Sequence, residues 1–208
     1  MQIELQDIGK KFSSDWIFRH IDFVFKSHRT TAILGRNGSG KSTLLQLVAG
    51  NLSPTIGQVN YSRNGMEVKN SEIFRHLALV APYQELIEEF TLREMVDFHF
   101  AFKRYIPGFN VHKVSGLLGF KDAANKPIRQ YSSGMKQRIK LILAFLSDVP
   151  LLLLDEPAMH LDPAGMEWYL NLIKDLAKNR TLLICSNQHQ AEIPFADAIF
   201  SIEDYRKL

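Results

Sequence analysis

Eight consecutive residues, Gly35-Arg36-Asn37-Gly38-Ser39-Gly40-Lys41-Ser42, satisfy the pattern G-x-x-x-x-G-K-[ST]. Glycines in such a run let backbone N–H groups point inward around a phosphate. Lys41 has the reach to meet β- and γ-phosphates, and the Ser42 hydroxyl is the type of group that ligates Mg²⁺. Further along, Leu151-Leu152-Leu153-Leu154 runs into Asp155-Glu156, two carboxylates closing an apolar stretch. In an open α/β sheet ligands bind at the carboxyl ends of strands, so this pair belongs beside the phosphate loop. Asp155 suits a direct or indirect magnesium ligand, and Glu156 can polarise an attacking water. A third group, Ser132-Ser133-Gly134, opens a stretch bearing Lys136, Arg138 and Lys140. Free amides at that helix end make a second anion site, or the serine simply caps the helix.

The elements that must carry these residues follow from the hydrophobic rhythm. Ile3 and Leu5, then Ile21, Phe23 and Phe25, alternate at period two and predict half-buried antiparallel strands. Thr30-Thr31-Ala32-Ile33-Leu34 is a short buried strand that stops at Gly35, and Lys41 to Val48 is helical, with Gly50 past its end. That helix turns its positive end, roughly half a unit charge, toward the loop. Val59 and Tyr61 mark another strand, and residues 77–80 a further buried one. From about 85 to 149 the pattern turns helical: Thr91 with Glu94 forms a capping box, and a second long helix runs from about 134 to 146. Phe98, Phe102 and Tyr105 share helical spacing there and, with Phe90, Phe100 and Phe109, read mainly as packing, the alternative being a groove for a partner helix. Then the βα rhythm resumes: residues 151–154, a helix opened by Asp162-Pro163, the strand 181–185, and a last strand near 198–202. The expected architecture is α/β: a P-loop NTPase core spanning 1–208, with an N-terminal antiparallel β subdomain and an α-helical subdomain (about 85–149) inserted in it.

Taken in this order, the motifs resemble the ATP-binding subunit of ABC transporters over nearly the whole chain. The resemblance casts Gly35, Asn37, Gly38, Ser39, Gly40, Lys41, Ser42 and Thr43 as Walker A and residues 151–156 as Walker B. Tyr131-Ser132-Ser133-Gly134-Met135 stands at the signature L-S-G-G-Q, with Ser133 for a glycine and Met135 for the glutamine. Gln84 falls at the Q-loop, where it ligates Mg²⁺ and senses the γ-phosphate. His160-Leu161-Asp162 matches the D-loop, and Phe12 the aromatic that stacks on adenine. The switch histidine falls at Asn187 in ungapped register, with His189 two residues on. Asparagine can hydrogen-bond a γ-phosphate but carries no proton at neutral pH. The resemblance implies ATP and Mg²⁺ as cofactors, hydrolysis slowed by Asn187, and head-to-tail closure as a homodimer or heterodimer. It also implies a transmembrane permease as the membrane-spanning partner, the alternative being a soluble ABC-type ATPase or a nucleotide-dependent regulatory switch not engaged in transport.

Composition narrows the setting. With 25 basic and 22 acidic residues in 208, the formal charge is +3, too mild to argue for nucleic acid as a partner. One cysteine, Cys185, excludes a disulfide framework or thiolate zinc site and fits a reducing compartment. The first residues lack a basic region followed by an apolar stretch, and no apolar run approaches the ~20 residues of a bilayer span. The expectation is a cytoplasmic protein, peripheral at the inner face of the membrane through a partner that supplies the spans.

Overall fold

The computed structural model describes residues 1–120, 125–187 and 193–206. In chain order the elements are β1 (Gln2–Phe12), β2 (Asp15–Phe25), β3 (Thr30–Leu34), α1 (Lys41–Val48), β4 (Ile56–Arg63), β5 (Met66–Val68) and β6 (Leu77–Val80). They continue with α2 (Leu92–Phe102), α3 (Val111–Leu118), α4 (Ser133–Leu146), β7 (Leu151–Asp155), α5 (Pro163–Leu176), β8 (Thr181–Ser186) and β9 (Ala198–Ser201). The chain divides into two compact units, residues 1–79 with 149–156 and 178–208, and residues 80–148 with 157–177.

The first unit holds two sheets. One is antiparallel in the order β2-β1-β4-β5, the β structure that alternation near the N-terminus predicts. Ile3, Leu5 and Ile8 of β1 are buried, and the register shifts between Leu5 and Ile8 at a bulge where Asp7 takes a φ of 49°. The other sheet has the order β6-β7-β8-β3-β9, and β7, β8, β3 and β9 pair in parallel. Every residue of β7 and β8 is buried, which is why both read as unbroken apolar runs rather than alternating ones. Because β3 lies beside β8, the loops leaving the carboxyl ends of β3, β7 and β8 emerge together.

The second unit is helical. Thr91 and Glu94 form both bonds of the capping box on α2, and Asp162 caps α5 through the Gly165 N–H at 2.7 Å with Pro163 following. Unlike the sequence reading, which leaves the helix after Asp162 with the α/β core, this unit also takes up α5. The cause is packing: α5 lies on α4, and Arg138 of α4 covers the Trp168 ring at 5.3 Å. The packing assigned to the aromatics fails for Phe98 and Phe102, which are 44% and 76% exposed. The buried face of α2 is Leu92, Met95 and Val96, which turns the pair outward to touch each other edge-on at 5.4 Å. Tyr105 is not on the helix at all: Lys103 is already extended, and Tyr105 stacks back on Phe100.

Candidate nucleotide site

The glycine loop lies between the end of β3 and the start of α1. Gly40, at the N-cap of α1, has a φ of 101°, a left-handed conformation in which a side chain would be strained. A Cβ there would also meet Ile17 at 2.5 Å. Among the described residues no side chain caps α1, and its first N–H groups are of the kind that bind an anion. They face a cavity of about 270 Å³ lined by Asn37, Gly38, Ser39, Gly40, Lys41, Ser42, Thr43, Ile17 and Glu156. Ser39 is fully buried, and its Oγ has no hydrogen-bond partner among the described residues.

Lys41 is 5% exposed, and its ammonium is held inside the loop. It donates to the carbonyls of Gly35 at 2.7 Å and Arg36 at 3.1 Å, and to Oδ1 of Asn187 at 2.5 Å. Nδ2 of Asn187 donates to Oε1 of Glu156 at 2.6 Å. An ammonium can only donate and a carboxylate can only accept, so this pair fixes which way the Asn187 amide points. Thus the residue after β8 joins the loop after β3 to the acid after β7. Glu156 itself carries a φ of 47°, a strained conformation for a non-glycine residue, held by its N–H on the Cys185 carbonyl at 2.9 Å.

Asp155 is 2% exposed, and burial raises its carboxyl above the usual range. A hydrogen bond from Ser42 and the charge of Lys41 oppose that shift, while Glu156 adds to it. Its Oδ1 has no hydrogen-bond partner among the described residues. A buried carboxylate with an open oxygen next to a serine hydroxyl is a donor set suited to a hard cation such as Mg²⁺. Phe12 ends β1 at the surface, 49% exposed, with the Lys10 ammonium over its ring at 5.1 Å. Cys185 is buried, and burial pushes its thiol up.

A family model described as "ABC transporter" matches residues 18–159 of this chain. The chain belongs to the ABC transporter family. Among curated relatives, an uncharacterized ABC transporter ATP-binding protein of Bacillus subtilis is 28% identical over 99% of this cassette and 68% of its own length. The bacitracin transport ATP-binding protein of Bacillus licheniformis is 29% identical over 90% of the cassette and 61% of its own. The cassette therefore spans about two thirds of the length of these relatives. A solved dimeric ATP-binding cassette bound to ADP and phosphate shares the fold, with a TM-score of 0.80 at 21% identity. It covers 96% of this chain and 93% of that one.

The remaining sequence-derived site residues of the cassette lie on its second unit. Gln84 follows β6 in a turn in which its N–H meets the Ala81 carbonyl and its Oε1 accepts from the Ala81 N–H, both at 3.1 Å. Ser132 caps α4 by accepting from the Met135 N–H at 3.2 Å, so the plain capping role is real. Ser133 and Gly134 form the first turn of α4. Gly134 has a reason of its own, because a Cβ there would lie 2.8 Å from the His160 carbonyl oxygen. His189 lies outside the described residues. Sequence reasoning missed the strain at Glu156 and the bridging geometry of Asn187, since neither leaves a local pattern.

Proposed function

We propose that this cassette binds ATP with Mg²⁺ and hydrolyses it to drive a transmembrane permease, docked at the inner face of the cell membrane. The observation that carries the reading is the junction of Lys41, Asn187 and Glu156 at the mouth of the glycine loop. When the phosphates enter, Lys41 exchanges neutral oxygen acceptors for anionic ones, a stronger type of bond. The uncapped N–H groups of α1 meet the same charge, and Phe12 offers a ring for adenine to stack on. Asp155, Ser42 and Gln84 would hold magnesium. Bound there, the ion would neutralise charge on the β- and γ-oxygens. For Gln84 this requires releasing its Oε1 from the Ala81 N–H.

Glu156 polarises the attacking water, and the Asn187 amide orients that carboxylate. Asn187 takes up the γ-phosphate on the same path, but it cannot shuttle a proton, so basal turnover is slow. Ser132, Ser133 and Gly134 of a second cassette, identical or different, then complete the pocket with their helix end. The test is Glu156→Gln with MgATP. Turnover should fall roughly a hundredfold, and size-exclusion with light scattering should show an ATP-dependent dimer. No dimer and unchanged turnover would contradict both the water-polarising role and the closure. A second reading, favoured by asparagine at position 187, is a regulatory cassette that binds ATP and barely turns it over. Multiple turnovers by the wild type would exclude it.

A further inference from the structure

The last short 3-10 turn of the chain, Ile202–Tyr205, reaches the outer side of the glycine loop. Ile202 is fully buried, and a Cβ placed on Gly35 would lie 2.7 Å from its Cγ2. The next residue, Glu203, accepts the Arg36 N–H on Oε1 at 2.8 Å. Arg36 is the one residue between Gly35 and Lys41 that does not line the phosphate cavity. It lines, with Asn37, Asn187, Ser201 and Glu203, a second hollow of about 520 Å³. Its carbonyl meanwhile accepts from both the Lys41 ammonium and the Ser39 N–H, each at 3.1 Å. The backbone of Arg36 is therefore held at its N–H by Glu203 and at its carbonyl by the phosphate-binding lysine.

We propose that Glu203 is a positioning residue for nucleotide binding, fastening the phosphate loop through the Arg36 amide so that it is preorganised before ATP arrives. Glu203 holds the loop through the Arg36 N–H. Its effect is to reduce the motion the loop must give up on binding, which shows in affinity rather than in turnover. The Arg36 amide bond holds the Glu203 carboxyl below the usual range, and the Arg36 and Arg206 guanidiniums, at 3.9 and 3.7 Å, act in the same direction. The carboxylate also sets a negative charge near a site for an anion, so reach and charge act in opposite senses and can be separated.

The inference rests on the reading of the glycine loop as the nucleotide site. Its test is titration of a fluorescent N-methylanthraniloyl-ATP with Mg²⁺ into the full chain, Glu203→Asp and Glu203→Gln. Asp keeps the charge but withdraws the oxygen from Arg36, and Gln keeps the oxygen without the charge. Glu203→Asp should bind roughly three- to tenfold more weakly, as expected for losing one charge-assisted hydrogen bond. Glu203→Gln should bind within twofold of wild type or tighter, and kcat should be unchanged in both. Amide hydrogen exchange of the nucleotide-free loop, residues 35–39, should quicken in Glu203→Asp and not in Glu203→Gln. Equal behaviour of the two variants, or the reverse order, would overturn the role of Glu203. Wild type and Lys41→Ala serve as controls: failure of the wild type to bind would instead overturn the nucleotide site itself.

Discussion

At the scale of single residues, the account turns on Asn187. Its amide links Lys41 to Glu156. On the proposed function it stands at the switch position, where an amide lacks the proton transfer an imidazole would supply. A weakened transition-state contact costs on the order of 3 kcal/mol, roughly a hundredfold in rate. Asn187→His should therefore raise kcat at least several-fold, with nucleotide affinity within twofold, in a steady-state phosphate-release assay. His189→Ala should leave both constants near wild type. The reverse pattern, loss of turnover in His189→Ala and no gain in Asn187→His, would move the switch role to His189. Residues of this kind differ in how far sequence exposes them. Gly40, Lys41 and Ser42 are legible because one contiguous backbone shape demands them. Asn187 is found only by counting along a strand, and Glu203 not at all, because its partner lies 167 positions away.

At the scale of elements, strong local signals were legible and weak ones were not. The Thr91–Glu94 box and the Asp162-Pro163 start mark helix beginnings, since capping is chemistry within four residues. The short α3 has no such strength: eight residues with an internal glycine, begun by Asn110 and stopped by Gly119 at a φ of 70°. Contacts between helices were equally hidden. The His99 ring of α2 meets the Ser147 hydroxyl just past α4 at 2.9 Å, and that hydroxyl donates to the Leu143 carbonyl at 2.7 Å. Burial, helped by the charge of Lys103, pulls the His99 pKa down to about 4. The native state thus holds a neutral ring while the unfolded chain protonates near 6.5. Its stabilising effect is full above about pH 6.5 and is lost as pH falls toward 4, amounting to up to about 3 kcal/mol. Urea unfolding at pH 7 and pH 4.5 should show this loss in the wild type. His99→Gln should show a markedly smaller pH dependence, and an unchanged one would refute the assignment.

At the scale of the whole molecule, the sheet order explains why chemistry scattered over 146 positions can share one place. With β3 between β8 and β9, and β7 on the far side of β8, the loops after β3, β7 and β8 converge at one end of the parallel sheet. Lys41, Glu156 and Asn187 are the residues those three loops deliver. The parallel strands were legible as apolar runs, whereas their order was not, because every buried strand satisfies the same pattern. On the proposed function that end is a phosphate site, with Lys41 as its central cation. The most direct measurement is calorimetric titration of MgATP into the wild-type chain and Lys41→Ala. The account predicts saturable 1:1 binding to the wild type and at least a tenfold loss in the variant, the scale of removing a charge-assisted contact. Equal affinity in the two proteins would contradict it.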